Sequence, residues 1–180
     1  MACRNDISPW VARYAHLVGA GDRVLDLAAG SGRHTRFFAD RGLNVLAVDA
    51  DIGGMMDLAG HPGVELIQTD LEDGSPWPFA DEHFAAVVVC NYLHRPTLPR
   101  LSGLLTDRAV LIYETFAVGQ EEIGRPRNPD FLLRPNELIV TFADALTVIG
   151  YEHGLDPGPP RAVRQRLCAV KTPTPVALRG

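Results

Sequence analysis

The stretch Arg23-Val-Leu-Asp-Leu-Ala-Ala-Gly-Ser-Gly-Arg-His-Thr35 constrains the chain more than any other. Arg23 to Leu27 reads as a short apolar strand, and Arg33 to Arg41 as a helix stopped by Gly42. Between them lies a loop of small residues. A strand feeding through such a loop into a helix opens a βαβ unit, and its return strand pairs in parallel. Small residues let the backbone pass close to a ligand. The helix start adds free N–H groups with positive dipole character.

The rest of the chain repeats this alternation of apolar runs and amphipathic stretches. Val45–Val48, Val64–Ile67, Phe84–Cys90 and Ala109–Tyr113 read as further strands, the fourth apolar on both faces as a central parallel strand should be. Thr147–Tyr151 and Arg164–Val170 read as two closing strands around the turn Asp156–Pro160. Ser8 is placed to cap a helix running from Pro9 to about Val18, ended by Gly19 and Gly21. Asp51 could cap a short helix through Leu58. Leu71–Glu82, with two prolines and a glycine, reads as a loop. Asn136–Leu146 is helical, with Leu133, Leu138 and Phe142 as its buried stripe. The expected fold is α/β: a Rossmann-like, doubly wound, mainly parallel seven-stranded sheet with an antiparallel strand near the C-terminus. With 180 residues, no repeat and no visible boundary, residues 1–180 are read as a single domain. A frayed tail is expected from Thr172.

Net charge is −5, which argues against a broad nucleic-acid-binding face. Cys3, Cys90 and Cys168 cannot all pair and have no metal-ligand spacing, so no metal and a reducing, cytoplasmic setting are expected. Met1–Asp6 lacks the apolar core of a signal peptide, and no apolar run approaches the roughly 20 residues of a membrane span.

Three acids end successive strands or follow them: Asp26, Asp49 and Asp70. In a doubly wound sheet all three meet outside the carboxyl ends of the strands, where strand order reverses, and Asp49 is placed to accept from ribose hydroxyls. The chain resembles the class I S-adenosylmethionine (SAM)-dependent methyltransferases, and a compact bacterial-type branch of them. The resemblance rests on Ser8-Pro-Trp10, Asp26-Leu-Ala-Ala-Gly-Ser-Gly-Arg-His34, Ala47-Val-Asp49, Asn91-Tyr-Leu-His-Arg-Pro96, Tyr113-Glu-Thr-Phe116 and Phe131-Leu-Leu-Arg-Pro135. It runs from about Ser8 to Val170. It implies that Asp26 and the Ala28–Gly32 loop, including Gly30, line the methionine moiety of SAM. Asp49 would hold the ribose, and Asp70 with the Leu71 backbone would read the adenine. Ala50 and Cys90 join the same strand-end set. Ala28 stands where the family's loop usually begins with glycine, and Thr106-Asp-Arg108 replaces its usual Pro-Gly-Gly turn.

The runs after the fourth and fifth strands would then face the transferable methyl group. His94 and Glu114 are candidate bases, with Tyr92 beside them. Arg95, Arg125, Arg134 and Trp10 are candidate acceptor contacts, and Arg13 a candidate partner for the SAM carboxylate. The long segment 116–136 could close as a lid. The expected acceptor is a small molecule, with the oligomeric state open. A nicotinamide-dependent oxidoreductase is the rival, disfavoured because the third glycine of G-x-G-x-x-G falls on Thr35. A non-catalytic SAM-binding accessory protein is the other.

Overall fold

In a computed structural model, residues 6–172, 174 and 175 are described. Cys3 and most of the expected frayed tail lie outside the described residues. The strands are β1 (Arg23–Leu27), β2 (Asn44–Asp49), β3 (Val64–Gln68), β4 (Phe84–Cys90), β5 (Leu105–Phe116), β6 (Thr147–Asp156) and β7 (Ala162–Val170). They form one seven-stranded sheet in the order β3-β2-β1-β4-β5-β7-β6. The first five run parallel, and β7 is antiparallel to both β5 and β6. The order reverses between β1 and β4, so the crevice of a doubly wound sheet opens at their carboxyl ends.

Alternation along the strands divides the core in two. Leu25, Leu27, Val87, Val89, Leu111 and Tyr113 face one layer, and Val24, Ala86, Val88, Val110 and Ile112 face the other. The second layer is closed by α1 (Pro9–Tyr14) through Trp10, Val11 and Tyr14, and by α2 (Arg33–Ala39) through Phe38. The first is closed by α3 (Glu137–Phe142) through Leu138 and Phe142, by a 3-10 turn over Leu98–Leu104, and by Phe79 from the loop after β3. Ser8 caps α1 as expected, its Oγ accepting from the Trp10 and Val11 amides, with Pro9 at the first helical position. Expected helices shorten: Asn136–Leu146 yields only Glu137–Phe142, and Asp51–Leu58 yields a 3-10 turn over Gly53–Leu58.

At Gly150 the sheet makes room for α1. A Cβ there would stand 2.0 Å from the Tyr14 hydroxyl, so the helix reaches β6 only over bare backbone. Among the described residues no helix is long and apolar enough to cross a membrane.

Candidate active site

The loop after β1 takes the left-handed backbone at Ala28 (φ 55°), Gly30 (φ 60°) and Gly32 (φ 73°). Ala28 adopts it at the steric cost of a Cβ. The two glycines differ in what they leave open. A Cβ on Gly30 would meet nothing within 4 Å, whereas one on Gly32 would meet Met55 Cγ at 2.6 Å. Gly32 therefore lets Met55, fully buried, pack onto the loop, and Gly30 keeps its outer side clear.

Asp49 ends β2 beside this loop. Its Oδ2 accepts from Gly30 N at 2.7 Å and its Oδ1 from Asp51 N at 3.0 Å. Each carboxylate oxygen has two lone pairs, so one on each remains for a pair of hydroxyls. Next to it Ala50 is exposed, its carbonyl accepting from Gln68 Nε2 at 3.0 Å. Asp70 is exposed after β3, and its Oδ1 accepts from Glu72 N at 2.9 Å, shaping the turn that carries Leu71.

Asp26 sits lower, 1% exposed, on the face that α2 covers. Thr35 Oγ1 donates to its Oδ2 at 2.6 Å, and His34 Nδ1 stands 4.0 Å from its Oδ1. Burial outweighs the Thr35 hydrogen bonds and pushes the Asp26 carboxyl up to about 6. Burial, helped by the Arg33 charge, lowers His34 to about 4. His34 is thus neutral, and its Nε2 accepts from Ser8 N at 3.3 Å. That bond ties the start of α1 to the strand end.

At the ends of β4 and β5 a second polar cluster forms. Glu114, nearly buried, accepts from Arg166 Nε at 2.9 Å and from the Cys90 thiol at 3.2 Å. Burial would raise its carboxyl, but Ser8 hydroxyl, Arg164 and Arg166 hold it below the usual range. Arg166 also pairs with Glu152 and Asp156. Burial and the neighbouring Glu114 charge keep Cys90 a thiol at neutral pH; it contacts Arg33 Nη2 at 3.0 Å. Tyr92 has a buried hydroxyl with no hydrogen-bond partner among the described residues, beside Glu72 and Thr97, and burial pushes its phenol up. His94 shares a hydrogen bond with Thr97 Oγ1 through Nδ1 at 2.8 Å.

Three expected contacts are engaged elsewhere. Trp10 lies in the core, 4% exposed, its indole N–H donating to the Leu167 carbonyl at 3.2 Å, so it offers no acceptor surface. Arg13 lies over the Trp10 and Tyr14 rings and pairs with Glu152 at 3.5 Å, on the β6 side rather than at the glycine loop. Arg95 forks onto Glu137 and donates to the Asp130 and Leu132 carbonyls, which makes it the anchor of the 116–136 segment. That segment is no free lid. Leu132 and Leu133 are buried, and Val118 and Leu133 pair with Leu133 and Phe116 across its base. Arg134 is exposed at the foot of α3, its amide donating to Glu137 at 2.7 Å. Arg125 is exposed at the tip. Ser8, His34, Thr35, Arg33 and Arg166 are members of the site that residue-type reasoning passed over; only the Gly-Arg-His run after the loop could have pointed to two of them. Among the described residues, no group of His, Cys, Asp and Glu is placed to hold a metal ion.

Residues 24–109 match the family model described as a methyltransferase domain. A demethylmenaquinone methyltransferase of Clavibacter sepedonicus is 39% identical over 85 residues, which is 45% of this chain and 34% of that protein. The chain thus spans about a third of the length of the curated relatives it matches. TehB from Haemophilus influenzae superposes with a TM-score of 0.74 at 15% identity, over 92% of this chain and 62% of that one. The 1,6-didemethyltoxoflavin-N1-methyltransferase of Burkholderia thailandensis, solved with 1,6-didemethyltoxoflavin and S-adenosylhomocysteine, gives 0.64 at 22% identity, over 91% and 76%. Both structures share the fold.

Proposed function

We propose that the chain, whose residues 24–109 match the methyltransferase-domain family model, binds SAM and transfers its methyl group to a small molecule. One observation carries the reading: Asp49, at the end of β2, keeps one lone pair free on each oxygen while its amide bonds fix it against the Gly30 loop. That is the donor-seeking carboxylate a ribose diol needs. The open space above Gly30 leaves room for the cofactor chain, and Asp70 with Leu71 borders the adenine end. With Arg13 committed to Glu152, Arg33 takes the cofactor carboxylate; its guanidinium lies by Cys90 at the end of β4.

SAM supplies an activated methyl group on a sulfonium, so alignment and exclusion of water account for much of the catalysis. Within this chain His94 is the better base. When Nδ1 donates to Thr97 Oγ1, Nε2 holds the lone pair a proton-bearing acceptor needs. Glu114, held as a carboxylate by Arg166, Cys90 and Ser8, orients the end of β4 instead. Tyr92 completes the wall, its buried hydroxyl beside Glu72 and Thr97. The described cysteines, Cys90 and Cys168, are both free and buried, which suits a reducing, cytoplasmic setting. We read the chain as one functional unit with no role for nucleic acid.

Calorimetry with SAM, S-adenosylhomocysteine and NAD tests the reading. SAM and its demethylated product are expected to bind more tightly than NAD; the reverse order would refute the cofactor assignment.

A further inference from the structure

The methyl-transfer reading leaves the acceptor's chemistry open, and the tip of the 116–136 segment narrows it. There Arg125, Pro126, Arg127, Asn128 and Phe131 line a depression of about 570 Å³. This is within the range of small-molecule pockets, a few hundred to about 1,000 Å³. Phe131 is 45% exposed. Neither Arg125 nor Arg127 forms an ion pair among the described residues, although five other arginines, Arg13, Arg23, Arg36, Arg95 and Arg166, pair within 3.5 Å at most.

The depression is also rigidly supported from below. Gln120, 4% exposed, donates through Nε2 to the Arg125 carbonyl at 2.9 Å and accepts the Val163 amide at 2.9 Å. Asn128 Oδ1 accepts from Asp130 N at 3.0 Å. Arg95 holds the Asp130 and Leu132 carbonyls, both at 2.8 Å, on either side of Phe131. Gln120, Asn128 and Arg95 are thus committed to ordering a turn whose own outward groups, two guanidinium forks and a phenyl ring, have no side-chain partner among the described residues. An exposed tip ordered in this way is a binding surface prepared in advance. Arg95 also ties it to the run Asn91–Pro96 that carries Tyr92 and His94, on the methyl-transfer side.

We propose that this depression receives an anionic group, a carboxylate or a phosphate, on a small molecule whose flat apolar body packs on Phe131; on the methyl-transfer reading that molecule is the acceptor. Guanidinium forks match both oxyanions in a bidentate manner, and a planar body fits an exposed ring.

The test uses phenyl phosphate, benzoate and neutral benzamide as probes, titrated into the intact chain by calorimetry or by NMR of the 121–135 amides. Phenyl phosphate or benzoate is expected to bind measurably more tightly than benzamide, and more weakly as salt rises. The pair Arg125→Ala/Arg127→Ala should weaken the anions about tenfold or more, and Phe131→Ala by roughly threefold. All three side chains are exposed, so unchanged thermal melting of these variants separates lost binding from lost folding. Equal binding of anion and benzamide, or anion binding indifferent to both substitutions, overturns the proposal. So does tight, steeply salt-dependent binding of a mixed-sequence RNA oligonucleotide with the small probes silent. SAM binding is measured on the same variants. Loss of SAM binding in the parent with arginine-dependent anion binding intact would refute the methyltransferase reading and leave the anion site standing.

Discussion

Asp49 and Asp26 are two carboxylates at neighbouring strand ends with opposite surroundings. Asp49 has amides on both oxygens and solvent access, while Asp26 is buried with one hydroxyl donor and a neutral imidazole. Asp49→Ala should weaken SAM by about 1–3 kcal/mol, the worth of charged hydrogen bonds to a diol, with little change in melting temperature. Calorimetry on the variant decides; unchanged affinity with a collapsed melting temperature would make Asp49 structural. For Asp26 the effect runs the other way. Its carboxyl, raised from 3.8 to about 6, favours the native state when protonated, and that contribution is gone once pH has risen past 6. At neutral pH the ionised form costs about 3 kcal/mol relative to the unfolded chain. Asp26→Asn keeps an oxygen for Thr35 and carries no charge. It should therefore raise unfolding stability at pH 7 by about 1–3 kcal/mol in urea titrations, while weakening SAM. A smaller effect is expected at Tyr92. Tyr92→Phe should change stability little in thermal melts, because the buried hydroxyl makes no well-formed hydrogen bond among the described residues.

At the scale of elements, Arg95 does the work expected of a lid's hinge in reverse: it prevents opening. Its Nε and Nη2 bridge Glu137 at 2.7 and 3.0 Å, and its other bonds hold the segment's carbonyls. Arg95→Ala should cost about 1–3 kcal/mol and expose the 121–131 turn to proteolysis, while SAM affinity stays near that of the parent. Arg95→Lys should not rescue it, since an ammonium cannot fork. This element also marks where sequence reading ends. Strands β1 and β4 are legible to the residue, because fully buried parallel strands write themselves as unbroken apolar runs. β5 and β6 run well beyond their apolar centres, to Leu105–Phe116 and Thr147–Asp156. Their extra residues are held by antiparallel pairing with β7 or by the shifted register against β4, neither of which needs a hydrophobic pattern. The cofactor edge is legible for a related reason: strand, small-residue loop and acid are local signals. The acceptor side is not. Whether Arg13 or Arg95 meets a ligand depends on Glu152, 139 residues away, and on Glu137, 42 residues away, and nothing near either arginine announces the partner.

Across the whole molecule, stability against pH follows from how these groups are distributed between the two core layers. Glu114, Glu137 and Asp156 are held below their usual range; in each, burial opposes and is outweighed, at Glu114 by the Ser8 hydroxyl and two arginines, at the other two by arginine and backbone partners. Depressed carboxylates stabilise the fold above their unfolded values and withdraw that support as pH falls through the folded ones, so their effect is confined to pH below about 4.5. Between that point and neutrality two groups dominate, Asp26 at the end of β1 and His34 on the buried face of α2, which face one another. His34, lowered from 6.5 to about 4, favours the native state above 6.5 and loses that contribution as pH falls toward 4. Asp26 gains as pH falls from 6 toward 3.8. The two slopes oppose over nearly the same window. The parent chain should therefore show a nearly flat stability from pH 7 to about 4.5, then a steep acid loss. Breaking the pair exposes each slope alone. His34→Gln, which retains an oxygen acceptor for Ser8 N, should become more stable on acidification from pH 6.5 to 4.5. Asp26→Asn should become less stable over the same interval, because only the His34 contribution remains. Urea unfolding at half-unit steps of pH reads both slopes directly. Two variants sloping in the same direction would show that the buried Asp26–His34 pair does not set the pH response.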